Sequence, residues 1–218
     1  MEIQLIKGNI FSSKAQTLVN TINCKGVMGA GLALEFRLRY PEMYKKYVGL
    51  CEGNKIDIGI LWLYKHSADK WILNFPTKNH WKYPTKTEYL HKGLKKFSDM
   101  YEEKGITSIA FPLLGSDKGG LSKDLSKSIM DKYLSDIPIK IEIYEFDPNL
   151  GDDDYIRFKE EFFQVGIDNI ISDVGIKERY AVILEEALKN QKINSLSNLC
   201  SVKGIGIATV EKVYSYIN

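Results

Sequence analysis

Cysteine, histidine and long apolar runs are all scarce in this 218-residue chain. Its three cysteines, Cys24, Cys51 and Cys200, lie far apart with no CxxC spacing. That excludes a disulfide framework or zinc ribbon as the organising device and predicts the reduced thiols of a cytoplasmic protein. Three histidines (His66, His80 and His91) without ligand spacing offer no metal site, so neither metal nor cofactor is expected. No stretch approaches the roughly 18 apolar residues of a membrane span. The opening MEIQLIKGNIF starts directly with strand-like alternation and lacks signal-peptide anatomy. A net charge of only +2 is too small for a generic nucleic-acid binder. What is present is an ordinary globular composition, 44% hydrophobic and 11% aromatic, sufficient for a substantial core. The length suits one large domain, or a domain of about 150 residues with a small appendage.

Charge and pattern divide the chain near residue 148. Residues 149–218 hold 8 basic and 11 acidic residues, which leaves 22 and 17 of the chain's 30 and 28 for the first part. An anionic ligand therefore suits the first part better. There, strand-like runs (EIQLIK, TLVNTI, ILWLYK, WILNFP, SIAFPL and KIEIYEF) alternate with segments of helical spacing at 29–40, 41–51, 85–105 and 121–136. Leu90, Leu94, Phe97 and Tyr101 form a core stripe in the third helical segment, closed by Gly105. This alternation predicts a mostly parallel, three-layer α/β domain over residues 1–148. The acidic, turn-rich DPNLGDDD (147–154) reads as a joint, and residues 149–218 read as three to five short helices forming a second, all-α domain.

Three segments carry the chemistry. In VNTINCKGVMGAGLALEF (19–36), a strand delivers Asn20 and Asn23 to the turn Gly26, Val27, Met28, Gly29, Ala30, Gly31, and a helix follows. Glycine lets backbone N–H groups approach an anion, a helix N-terminus favours negative charge, and an Asn amide can bond ribose hydroxyls. SIAFPLLGSDKGGL (108–121) repeats the device with Leu114, Gly115, Ser116, Asp117, Lys118, Gly119 and Gly120. Two such loops after strands of one parallel sheet lie at one edge, where they could hold a diphosphate between them. LNFPTKNHW (73–81) ends a buried run in Thr77, Lys78, Asn79 and His80, with Lys78 just beyond the strand.

Taken in this order, the three motifs resemble those of a macrodomain, and more narrowly its DarG-type antitoxin branch, related to terminal ADP-ribose glycohydrolases. The resemblance covers about residues 1–146. It implies the macrodomain fold, with a mixed central sheet and an ADP-ribose cleft over the two glycine-rich loops. It also implies removal of ADP-ribose from thymidine bases of DNA, reversing a partner toxin, a DNA ADP-ribosyltransferase. The family's catalytic lysine falls on Lys78, its ribose-side asparagine on Asn23, and its nucleobase-side residues on Gly8, Asn9 and Ile10. Three departures stand out. Asn9 replaces the usual Asp. Ser116, Asp117 and Lys118 fill the middle of a loop that usually reads Gly-x-Gly-x-Gly-Gly. Gly119 stands where the terminal glycohydrolases place a catalytic Asp.

Lys78 could protonate the departing base, or as a neutral amine attack the ribose C1″. Attack needs a lowered pKa, from burial or from neighbouring cations such as Lys82 and Lys86. Two other functions fit the same residues: a sensor that binds ADP-ribose without catalysis, and a hydrolase of small ADP-ribose derivatives. LCSVKGIGIATVEKVYSYI (199–217) resembles half of a helix–hairpin–helix unit, and the four lysines from position 189 onward (Lys189, Lys192, Lys203 and Lys212, against Glu211) suit a modest DNA contact.

Overall fold

The computed structural model describes residues 3–147, 150 and 152–217. Its first part contains β1 (Gln4–Lys7), β2 (Thr17–Asn23), α1 (Gly31–Arg39), α2 (Pro41–Glu52), β3 (Trp62–Lys65) and β4 (Trp71–Lys78), then α3 (Thr87–Met100), β5 (Ser108–Pro112), α4 (Lys123–Leu134) and β6 (Lys140–Glu145). The six strands form one sheet in the order β1-β6-β5-β2-β4-β3. Every neighbouring pair is parallel except β3 with β4, so the sheet is mixed, as expected.

β4 is buried along seven of its eight residues, and its alternation assigns a helix to each face. Asn74 faces α2, its amide donating to Met43 Sδ at 3.5 Å. Phe75 faces α3, with its ring against Gly93. On that side Leu90, Leu94 and Phe97 join Ile109, Phe111, Ile129 and Met130 in one apolar cluster. Tyr101 sits just past the end of α3 and packs partly buried on the same cluster. α2, the sheet and α3 thus make the three layers.

β4 runs to Lys78 rather than ending at Pro76 with Lys78 just beyond it, which corrects the boundary read from the sequence. Pro76 explains what happens there. It has no N–H to donate, and proline inside a sheet is confined to edges and bulges. The β2–β4 register runs regularly to Ile22 opposite Pro76 and then skips Thr77, so that Asn23 pairs with Lys78.

Residues 148–218, with Leu38–Pro41, cluster as a second compact unit. The expected boundary at 148/149 lies outside the described residues. The unit holds α5 (Asp153–Val165), α6 (Ile167–Val174), α7 (Glu178–Lys189) and α8 (Ile207–Ile217), within the expected helix count. Its polar centre is Arg39, which pairs with Asp152 at 2.9 Å and Asp154 at 3.1 Å and donates to Tyr214 Oη at 2.8 Å. Asp152 in turn caps α5 by accepting from the Asp154 N–H. The first helix of the expected hairpin motif is only a 3₁₀ segment, Ser197–Ser201. Two of the four lysines from position 189 onward are engaged within the unit, Lys189 with Glu185 and Lys212 with the Gly175 carbonyl.

At Gly93, α3 packs closely on the sheet: a Cβ there would stand 2.2 Å from the Phe75 ring, itself fully buried. Gly93→Ala gains roughly 1 kcal/mol of helix propensity. Overpacking against an immobile ring costs about 3 kcal/mol at the upper end of its range. The expected net loss is about 2 kcal/mol, read as a lowered urea midpoint at unchanged slope.

Candidate functional site

The carboxyl ends of β5, β2 and β4 are adjacent in the sheet, and each opens into one of the chemistry-bearing segments. The first loop needs glycine at Gly26 (φ +75°) and Gly31 (φ +56°), because both adopt left-handed backbone. The second needs it at Gly115 and Gly120 for the same reason. Gly119 is required sterically, since a Cβ there would lie 2.3 Å from the Gly115 carbonyl oxygen. The loops come close: a Cβ added at Gly31 would stand 3.5 Å from Lys118 Cγ. Two flexible-backbone loops therefore share one edge of the sheet.

Asn23 and Lys78 stand side by side on this edge. Asn23 is buried and locked. Its Nδ2 donates to the Val27 carbonyl at 2.5 Å, and its Oδ1 accepts from the Lys25 N–H at 2.8 Å. Its amide thus fixes the start of the first loop. Lys78 is half-buried, and its Nζ donates to the Lys118 carbonyl oxygen at 2.6 Å, bridging β4 to the second loop. Burial holds the Lys78 pKa below that of an ordinary lysine, partly offset by the charge of Asp117. The cause is thus desolvation; Lys82 and Lys86, the cations offered from the sequence, are not among its perturbers.

Other expected residues divide into two groups. Val27, Gly29, Ala30, Gly31, Asp117, Lys118 and Gly120 are exposed on the two loops, and Gly26, Gly115 and Ser116 are half-buried there. Ser116 Oγ bonds the Leu113 carbonyl at 2.8 Å. Met28 and Leu114 have no exposed surface and Ile10 almost none, so their side chains belong to the core. Asn20 is also fully buried: it donates to Asn74 Oδ1 at 2.9 Å across the β2–β4 ladder, and its own Oδ1 has no partner. It is a strand-to-strand tie, with no surface for a ribose. Gly8 is buried, and Asn9 is half-buried with its Oδ1 already accepting from the Phe11 N–H at 3.0 Å. Thr77 is buried, while His80 is half-buried with its Nδ1 accepting from the Lys82 N–H at 3.2 Å. Among the described residues, no group of three or more His, Cys, Asp or Glu could hold a metal, and no helix is long and apolar enough to cross a membrane.

The macro domain family model matches residues 19–130. A DNA ADP-ribosyl glycohydrolase from Thermus aquaticus is 35% identical over 149 residues, covering 67% of this chain and 41% of that protein. The chain thus spans well under half the length of this curated relative. Among solved structures, the macrodomain of Thermus aquaticus DarG superposes with a TM-score of 0.62 at 35% identity, covering 67% of this chain and 99% of that one. A Thermosipho africanus DarTG structure in complex with ADP-ribose gives a TM-score of 0.62 at 32% identity, covering 65% of this chain and 41% of that one.

Two supports of the site carried no sequence signal. Thr85 ties the segment after β4 to the second loop, its N–H donating to the Gly119 carbonyl at 2.9 Å. Tyr47, at a core position of α2, donates through its hydroxyl to the Asn23 carbonyl at 2.7 Å. Burial pushes the Tyr47 phenol far above its ordinary pKa, which keeps it a neutral donor. Tyr47→Phe removes that donor from a buried carbonyl, at a cost of about 1 kcal/mol. The expected result is a correspondingly lower urea midpoint with faster hydrogen exchange at the Lys25 amide, the group held by Asn23. An unchanged Lys25 exchange rate rules out Tyr47 as a support of Asn23.

Proposed function

The chain belongs to the macrodomain family, and from that premise we propose that it is a glycohydrolase removing ADP-ribose from modified DNA, with thymidine as the modified base. The observation that carries this reading is the pairing of Lys78 with Asn23 at the mouth of two glycine loops. The relatives' printed activity, DNA ADP-ribosyl glycohydrolase, agrees with it. A relative from Thermosipho africanus joins a DNA ADP-ribosyl transferase to a DNA ADP-ribosyl glycohydrolase in one fusion protein, so we take a cognate transferase toxin as the partner and the cytoplasm as the setting.

In this reaction the bond between ribose C1″ and the base nitrogen breaks, and positive charge builds on the sugar. The first loop's N–H groups and those around Gly115–Gly120 suit the diphosphate. Asn23 marks the ribose side. Lys78 acts on the bond itself, either as an ammonium that protonates the departing base or as an amine that attacks C1″, and water completes the cleavage in both cases. Position 119 has no room for a carboxylate side chain, so the Asp that the terminal glycohydrolases use there has no counterpart at that position, and Lys78 is the group left to act on the bond. A pure sensor would have no use for a lysine so placed.

Lys78→Ala is expected to slow release of ADP-ribose from ADP-ribosylated single-stranded DNA by about 10²–10⁴-fold. Its affinity for ADP-ribose should stay within about tenfold of the parent, measured by calorimetry. A variant that keeps its full rate removes Lys78 from the chemistry. The Asp117 charge raises the Lys78 pKa against the effect of burial, so Asp117→Asn lowers that pKa further. The limb of the pH–rate profile governed by Lys78 should then move to lower pH, and only slightly, because Asp117 is exposed and its charge is screened by water. A limb that falls with rising pH marks the ammonium as the acting form, and one that rises marks the free amine.

A further inference from the structure

Immediately after Lys78 the chain displays exposed aromatic and basic side chains. Trp81 is 48% exposed and Tyr83 66% exposed, although large rings are ordinarily sheltered. They flank His80, whose ring stacks on Trp81 at a centroid distance of 5.4 Å and tilts against Tyr83 at 5.5 Å. Beside them lies a pocket of about 410 Å³ lined by Asn79, His80, Tyr83, Pro84, Lys86 and Tyr89. The ring cluster is held in place by its own backbone. The Tyr83 N–H donates to the His80 carbonyl at 3.1 Å, and Thr85 binds the second glycine loop through Gly119.

The charge around these rings has one sign. Between Lys78 and Lys96 there are six lysines and a single acid, Glu88. Glu88 lies 4.0 Å from Lys86, with both side chains exposed. Lys82 stands 5.1 Å over the Trp81 ring and Lys86 5.8 Å over that of Tyr89. Along α3, Lys92, Lys95 and Lys96 continue the basic face beyond Tyr89, with Asp99 pairing Lys95 at 3.0 Å.

We propose that residues 79–89 form a platform for single-stranded DNA, receiving the nucleotides that flank the modified base. The proposal rests on the glycohydrolase reading for its substrate, and on the exposed rings and lysines for its location. Exposed aromatic rings interleaved with cations match unstacked bases and their phosphates. In a duplex those base faces are occupied, and an acidic peptide would satisfy the lysines while leaving the rings without partners. The anchor from Thr85 to Gly119 links the strand's position to the loop that receives Lys78. Flanking nucleotides would thereby help seat the scissile bond.

The test uses the full chain and a Trp81→Ala/Tyr83→Ala variant, with Trp81→Phe/Tyr83→Phe as the conservative control. Each is given ADP-ribosyl-thymidine as the nucleoside, an ADP-ribosylated single-stranded oligonucleotide and an ADP-ribosylated protein. Stacking is worth roughly 1–3 kcal/mol per base, about tenfold or more in affinity. The alanine variant should therefore lower the oligonucleotide-to-nucleoside ratio of kcat/KM about tenfold or more, with the phenylalanine control close to the parent. Binding of unmodified oligothymidylate, followed by fluorescence anisotropy, should weaken by a similar factor at an unchanged urea midpoint. If the parent cleaves neither DNA substrate yet the variant loses oligothymidylate binding, the glycohydrolase reading fails and the platform stands. An unchanged ratio together with unchanged oligothymidylate binding overturns the platform, as does a loss confined to the ADP-ribosylated protein.

Discussion

The site depends on parallel pairing of β2 with β4 and on the one irregularity in that ladder. Neighbouring parallel strands end at the same edge of a sheet, so whatever follows them is displayed together. Here the register slips by one residue beside Pro76, and the slip brings Lys78 opposite Asn23. Because side chains alternate with a period of two, a one-residue slip sends each following residue to the opposite face. Without it, Thr77 would occupy Lys78's place. The buried Asn20–Asn74 bond fixes the same two strands three residues earlier, so the irregularity starts from a rigid register.

Much of this arrangement was legible in the amino-acid order. Six apolar runs separated by helical spacing gave the six strands with ends correct to within two residues, and the glycine turns after β2 and β5 marked the loops. The rest was hidden for physical reasons. Asn20 and Asn23 are chemically alike in the sequence and both are buried; only their hydrogen-bond partners, Asn74 for one and Val27 and Lys25 for the other, distinguish a strand tie from a residue that fixes the first loop. Tyr47 reads as a core residue because it is one, and its hydroxyl finds Asn23 only through tertiary packing. Leu38–Pro41 cluster with the helices 110 residues downstream because Arg39 seeks Asp152 and Asp154, a long-range pairing that local pattern cannot express.

Desolvation and hydrogen bonding pull Lys78 in different directions. Burial disfavours its ammonium form, while the Lys118 carbonyl and the Asp117 charge favour it. The net effect, set by burial, is to lower the free-energy expense of deprotonating Lys78 relative to a solvated lysine, with Asp117 working against it. The neutral Asn23 amide beside it adds no competing charge.

The second loop departs from an all-glycine pattern for the same reason. Glycine survives at the positions that geometry enforces: Gly115 and Gly120 with left-handed backbone, and Gly119 with no space for a Cβ. Between them the chain needs only to turn, so Ser116, Asp117 and Lys118 fit, and each is used. Ser116 closes the turn onto Leu113, Asp117 supplies an anion near Lys78, and Lys118 offers its carbonyl to the lysine. In a loop proposed to face a diphosphate, an acid would ordinarily weaken binding by like-charge repulsion. Beside a partly desolvated lysine its charge has a local counterpart, so the loop can carry Asp117 and still present its backbone to an anion.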